Sequence, residues 1–305
     1  MSIVDVRRLS YAYGSVHALQ DLDLTVPAGA LYALVGPNGS GKTTLMQVLL
    51  GLRRAQNGRA SVMGRDCGTL TASDRTSIGY IAEGQSLPGW MSLQQAEAFL
   101  RPLYPTWDPV LARDLRERFA LDPSRKFKTF SRGEQMKAAL LCALAPRPKL
   151  LVMDEPFTGM DALVRDDLVR GLLQSAGAEG WTVLVCSHDI AEVEMLGDWV
   201  GFLQKGRMRL SEPMEQLHQR FKRVEVQLAD GAGNGHPAPA NWYSVERNGR
   251  MLSFVAELDG SETAVAALNA QFAGASRVDV RDATLREVFI ALAREKGASP
   301  TEVAS

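Results

Sequence analysis

The sequence is poor in cysteine. Three occur in 305 residues, Cys67, Cys142 and Cys186, far apart and in no C-x-x-C arrangement. So odd and scattered a set suits neither a disulfide framework nor a structural zinc site, and we expect a reducing compartment with the thiols serving as small buried hydrophobes. Long apolar runs are also missing. The longest, AALLCALA from Ala138 to Ala145, is far short of the roughly 18 residues that a membrane span needs. The opening MSIVDVRRLSYAYG has no charged leader ahead of an apolar core, so we expect no signal peptide. Neither sign of charge dominates. Lys and Arg number 34 against 35 Asp and Glu, a formal net charge of −1, which gives nothing to draw nucleic acid or an anionic bilayer directly. The expected location is cytoplasmic, with any membrane association supplied by a partner.

What is present is an ordinary apolar fraction, 46%, enough to build a core, and one stretch around which the chain can be arranged. Ala30 to Leu52 reads ALYALVGPNGSGKTTLMQVLLGL. A short apolar run suited to a buried strand (Leu31 to Val35) leads into a glycine-rich turn and then a helix-like segment closed by Gly51. The turn fits G-x-x-x-x-G-K-[ST], with Gly36, Gly41, Lys42 and Thr43 in the required places. By residue frequencies those four positions coincide by chance in roughly one chain of this length in a hundred. Glycines let the backbone approach a polyphosphate, and the helix that follows offers its unsatisfied N–H groups to the same anion. Lys42 can bridge the terminal phosphates and the Thr43 hydroxyl can ligate Mg²⁺. The stretch therefore predicts nucleoside triphosphate binding.

Ahead of the loop, Ile3 to Val26 reads as strands, with Tyr11 and Tyr13 on one face; a base-stacking aromatic and a cross-strand packing pair are both open there, packing being the plainer choice. After it come a strand flanked by turns at Asn57-Gly58 and Gly64, and another over Ser77 to Glu83. Ser92 to Leu121 turns helical, with interruptions at Pro102, Pro105 and Pro109. Phe130 to Ala145 begins a further helix, and Ser131 with Glu134 makes an S-x-x-E capping box. LLVMD (Leu150 to Asp154) and TVLVCSH (Thr182 to His188) are buried parallel-strand patterns around a helix over roughly Ala162 to Ala176. Past Leu210 the pattern changes to VEVQL, a Gly/Pro-rich loop (Ala229 to Asn241), a hairpin turning at Asn248-Gly249, a helix, a strand and a last helix with a second capping box, Thr284 and Glu287.

Two adjacent carboxylates, Asp154 and Glu155, end the first of those buried strands. Their burial is costly unless a cation compensates, so nucleotide-bound Mg²⁺ gives Asp154 a physical reason to be there. Glu155, one residue on, is placed to deprotonate a water aimed at the γ-phosphate. His188 can reach the same phosphate from the end of the second strand.

In this order the motifs resemble the ATP-binding subunit of the ATP-binding cassette (ABC) transporter family over about the first 215 residues. GPNGSGKTT (Gly36, Pro37, Asn38, Gly39, Ser40, Gly41, Lys42, Thr43, Thr44) is the Walker A loop, LLVMDEP resembles Walker B with its glutamate, TGMD (Thr158 to Asp161) the D-loop, and SHD around His188 the H-loop. Tyr13 stands at the aromatic A-loop position, which reverses the preference for packing. FSRGEQ corresponds to the signature LSGGQ. The resemblance implies a head-to-tail dimer, homo- or heteromeric, in which each ATP lies between Walker A of one subunit and the signature helix of the other, with Ser131, the Gly133 backbone and Asp161 contributing. It implies ATP and Mg²⁺ as cofactors, Thr43, Asp154 and Glu83 around the metal, and Glu155, His188 and Lys42 as catalytic residues.

Three positions depart from the family pattern. Arg132 replaces the first signature glycine and Glu134 the glutamine, and the Q-loop glutamine is replaced by Glu83, with Gln85 two residues on. The closing helix TLREVFIALA (Thr284 to Ala293) resembles subunits of the multidrug and antibiotic export branch. The expected fold is thus α/β, a P-loop NTPase of ABC type with a β-rich N-terminal subdomain and a helical insert, plus a small C-terminal α+β domain. We expect a nucleotide-binding domain over 1–215 (helical subdomain about 85–145), an accessory domain over 222–296 and a tail over 297–305. The function implied is ATP hydrolysis driving a separately encoded integral membrane permease, an exporter, from the cytoplasmic face, without a nucleic-acid partner. The alternative is a soluble ABC-type ATPase acting on ribosomes or DNA.

Overall fold

A computed structural model describes residues 1–229, 239–259 and 261–294. Most of the Gly/Pro-rich loop and the 297–305 tail lie outside the described residues. The chain divides into two compact units, Met1–Ser211 and Glu212 onward.

The first unit opens with a long antiparallel hairpin, β1 (Ser2–Tyr13) and β2 (Val16–Pro27), followed by β3 (Leu31–Val35) and α1 (Lys42–Leu49). β4 (Asn57–Val62), β5 (Arg65–Asp66), α2 (Ala72–Arg75) and β6 (Ile78–Ile81) come next. The insert holds α3 (Leu93–Leu100), α4 (Pro109–Arg118) and α5 (Arg132–Leu144). Pro109 does not interrupt a helix. It occupies the first turn of α4, where no amide bond is lost, behind an Asp108 cap that accepts from Val110 and Leu111. β7 (Leu150–Asp154), α6 (Ala162–Glu179), β8 (Thr182–Ser187), α7 (Ile190–Leu196), β9 (Trp199–Gln204) and β10 (Arg207–Pro213) follow. α6 outruns the sequence reading by three residues, running through Gly177 and ending at Gly180, whose φ of 67° makes the left-handed stop.

Two sheets result. One has the order β2-β1-β4-β5, the other β10-β9-β3-β8-β7-β6. In the second, β3 pairs in parallel with β8 and β9, and β7 with β8 and β6. Alternation sorts its side chains between two cores. Leu150, Val152, Leu184 and Cys186 join the hairpin and α1 side, while Leu151, Met153, Val183 and Val185 meet Leu141 of α5 and Leu168 and Leu172 of α6. Register does the rest: Cys186 lies opposite both Leu34 and Asp154, so the phosphate loop, the carboxylate pair and His188 leave one edge of the sheet together.

The second unit contains α8 (Met214–Arg220), β11 (Phe221–Gln227), β12 (Trp242–Asn248), β13 (Met251–Glu257), α9 (Glu262–Gln271), β14 (Arg277–Asp282) and α10 (Leu285–Ala293). Its four strands run β12-β13-β11-β14, antiparallel throughout. Val224, Val226, Phe254, Ala256 and Leu268 form its core, with Trp242 stacked on Phe254 at 3.8 Å between ring centres.

Candidate active site

The phosphate loop needs its glycines. A Cβ on Gly36 would lie 2.2 Å from the Leu203 carbonyl oxygen, and one on Gly41, at φ 108°, 2.4 Å from that of Ala18. Neither position admits a side chain. The following Lys42 is buried, 5% exposed, and its Nζ donates to the Gly36 carbonyl at 2.7 Å. Ser40 is buried as well, and its Oγ finds no hydrogen-bond partner among the described residues. An orphaned hydroxyl beside a buried ammonium suits a polyanionic ligand with oxygen to spare.

Asp154 closes β7 at 1% exposure. Burial pushes its carboxyl up, assisted by Glu155 and Glu83 and opposed by a hydrogen bond from Thr43 and by the Lys42 charge. Its Oδ1 is buried without a partner. Thr43, Asp154 and Glu83 thus offer only hard oxygen donors around an unsatisfied carboxylate oxygen, and they fit a Mg²⁺ ion.

Glu155 is the centre of the arrangement. Its amide bonds to the Cys186 carbonyl at 2.9 Å, and its φ of 47° is left-handed, a strained conformation for a residue with a side chain. Its Oε1 stands 3.4 Å from Lys42 Nζ, and its Oε2 is 2.7 Å from His188 Nδ1. The Thr158 hydroxyl donates to Oε2 at 3.5 Å. A carboxylate so held has its position fixed by three elements that the sheet brings together.

The signature region is arranged differently. Ser131 caps α5, its hydroxyl accepting from Glu134 N at 3.2 Å while the Glu134 carboxylate accepts from Ser131 N at 2.7 Å. Arg125 engages the same carboxylate at 2.6 Å, so both residues of the box are committed within their own turn. Arg132 turns to the loop after Glu155 and donates to the Gly159 carbonyl at 3.3 Å. Gly133 has a packing reason for lacking a side chain, since its Cβ would meet Val164 Cγ1 at 2.5 Å. Asp161 caps α6 through Val164 N. Among the described residues Ser131, Gly133 and Asp161 make no hydrogen bond to the phosphate loop, but Arg132, Gln135, Glu83, Gln85, Glu155 and Thr158 line one cavity of about 310 Å³. Gln85 spends its carbonyl oxygen on Ala82 N at 3.0 Å, while the charge of Glu83 acts on Asp154 together with those of Glu155 and Lys42.

Tyr13 is 42% exposed, its hydroxyl 3.4 Å from that of Thr44. It also packs edge-on against Tyr11 at 5.0 Å, and Arg53 lies over its ring at 4.8 Å. Both sequence readings of this ring therefore have geometry behind them. The sequence reading did not single out Arg53, Arg125, Arg165 or Glu192. Arg165 and Glu192 each sit four residues past a motif residue, Asp161 and His188, a one-turn offset that would have been a usable signal.

Residues 19–158 match the model described as ABC transporter. A lantibiotic transport ATP-binding protein of Streptococcus pyogenes is 31% identical over 225 residues, 70% of this chain and 95% of that protein. The chain belongs to the ABC transporter family. As an ABC ATP-binding subunit it binds and hydrolyses ATP, and cassettes of this kind dimerise and work with membrane permease subunits. A solved ATP-binding subunit of an ABC transporter matches with a TM-score of 0.64 at 26% identity, over 72% of this chain and 92% of that one, so the cassette has the P-loop NTPase fold expected from its sequence. A sulfate/thiosulfate import ATP-binding protein of Xylella fastidiosa is 31% identical over 266 residues, 84% of this chain and 76% of that protein. No helix among the described residues is long and apolar enough to cross a membrane.

Proposed function

We propose that Met1–Ser211 is the catalytic cassette, that it hydrolyses ATP between two head-to-tail protomers, and that it powers a separately encoded permease from the cytoplasmic face. The observation that carries the chemistry is Glu155, whose two oxygens face Lys42 and His188 at 3.4 and 2.7 Å. Glu155 takes a proton from a water whose oxygen attacks the γ-phosphorus, and the bond to the β-phosphate oxygen breaks to release ADP. His188, held through Nδ1, keeps Nε2 for the γ-phosphate, and Lys42 neutralises charge on the leaving group. Magnesium held by Thr43 and Asp154, with Glu83 beside it, would supply further neutralisation of phosphate charge.

Tyr13 is assigned to the adenine, and Ser131, Gly133 and Asp161 to the nucleotide bound by the facing protomer. The Ser131 cap must open for this, because its hydroxyl is engaged with Glu134 N. The test is Glu155→Gln, which should retain ATP binding, lose turnover and accumulate as a dimer. Phosphate release at the unaltered rate from that variant would remove Glu155 from its role.

Export is the direction we favour, on the closing TLREVFIALA helix and on the lantibiotic transport relative, almost all of which this chain covers. Import is a second reading with its own support: the sulfate/thiosulfate import relative aligns over 266 residues, longer than the 211-residue cassette. Identifying the permease that co-purifies in mild detergent separates the two.

A further inference from the structure

His188 is nearly half exposed, and among the described residues its side chain bonds only to Glu155, so the position of its ring depends on what fixes the backbone of residues 187–189. That backbone is gripped from behind. The Ser187 hydroxyl accepts from Asp189 N at 2.9 Å and donates to the buried carboxylate of Glu192. Asp189 caps α7 with one oxygen, accepting from Ala191 N at 2.9 Å, and with the other accepts from Arg165 Nη1 at 3.1 Å. The same Nη1 is 3.8 Å from Glu192 Oε1. Glu192 is 4% exposed, and burial pushes its carboxyl up, so its ionised form depends on the Ser187 hydroxyl and the Arg165 charge.

Arg165 belongs to another element. It lies in the first turn of α6, its amide bonded to the carbonyl of the Asp161 cap at 3.1 Å. Its Nε is buried with no acceptor among the described residues, so the guanidinium is held at its outer end, by Asp189, the cap of α7, and by Glu192 within it. One side chain thereby ties the start of α6, capped by Asp161, to the start of α7, whose cap Asp189 follows His188. The bonds therefore run without a break from the Asp161 cap through Arg165 and Asp189 to the residue beside His188, which itself holds Glu155.

We infer that Arg165 is a positioning residue for ATP hydrolysis, coupling the Asp161 loop to the His188–Glu155 pair through Asp189 and Glu192. The inference rests on the roles proposed above for His188 and Glu155. Its consequence is that docking of a facing protomer against Asp161 sets the catalytic geometry of the same chain, without Arg165 touching the nucleotide.

The experiment is a double-mutant cycle on the full chain, reading kcat, KM and binding of a fluorescent ATP analogue, with thermal midpoints as a check on folding. Arg165→Ala should lower kcat about tenfold to a hundredfold, the effect of a small misplacement, with KM and analogue binding within about twofold. Arg165→Lys should recover part of the loss. In a His188→Ala background Arg165→Ala should cost nothing further, because the two act through one ring. Should Arg165→Ala fail to fold, Glu192→Gln, which removes the countercharge and keeps an acceptor for Ser187, enters the same cycle with the same expectation. Equal losses with and without His188, or an unchanged kcat, would overturn the inference while leaving the catalytic assignment standing. If His188→Ala alone leaves kcat unaltered, the His188 assignment falls and takes this inference with it.

Discussion

Lys42 Nζ lies 3.4 Å from Glu155 Oε1, and both side chains are less than a tenth exposed. A buried ion pair gains little over a well-packed neutral pair, but losing one member strands the other. Lys42→Ala should therefore destabilise the nucleotide-free protein by about 3 kcal/mol, beyond any effect on ATP binding. The double variant Lys42→Met/Glu155→Gln should recover most of that loss. Urea unfolding of the three proteins without nucleotide reads the difference.

Gly159 sits at φ 73°, and a Cβ there would lie 2.1 Å from Arg132 Nη1. Gly159→Ala combines backbone strain with displacement of a flexible side-chain end, and should cost about 1–2 kcal/mol, most of it strain. Adding Arg132→Gly removes the clash and leaves the strain. Only a minor part of the loss should return, and a full recovery in thermal midpoint would show that the arginine rather than the backbone conformation was the obstacle.

The contact between Gly133 and Val164 behaves in the opposite way. Alanine favours a helix over glycine by about 1 kcal/mol, but the new Cβ would be 2.5 Å from a stiff β-branched side chain. Overpacking should win and leave Gly133→Ala destabilised by about 1–2 kcal/mol. Val164→Ala in the same chain should restore it. ATPase activity measured alongside separates packing loss from any loss of a backbone contact to phosphate.

In the second unit, burial pushes the Glu287 carboxyl up, but the Arg281 guanidinium and the Thr284 amide and hydroxyl outweigh it and hold the group at about 2, against an ordinary 4.5. A depressed folded value means that the stabilisation is complete above about 4.5 and fades as pH falls towards about 2. Glu287→Ala should therefore loosen α10 by about 1 kcal/mol at neutral pH, as loss of a capping box does. The gap to the parent should close through that acid window. Amide exchange of α10 at pH 6 and pH 3 provides the comparison.

The features legible in the sequence are those that depend on near neighbours along the chain. Gly36, Gly41, Lys42 and Thr43 belong to one loop and the start of one helix, so their spacing encodes the phosphate site directly. The Ser131–Glu134 and Thr284–Glu287 boxes are three-residue relationships that form as read. Pro109 was misjudged because an identical proline breaks a helix or begins one according to whether a cap precedes it, and Asp108 does.

By itself, then, the sequence determined that a triphosphate loop, a strand-end carboxylate pair and a strand-end histidine exist, because each is a local pattern with its own physical requirement. Only the tertiary structure decided that they meet: β3, β8 and β7 lie side by side in that order, and parallel register carries Val35, Ser187 and Asp154 to one edge. It also decided that Arg132 rests on Gly159, that Val164 excludes a side chain at 133, and that Arg165 reaches Asp189. Those relationships join residues 24 to 31 positions apart on different elements, where strand order and helix packing set the distance and no periodicity along the chain records it.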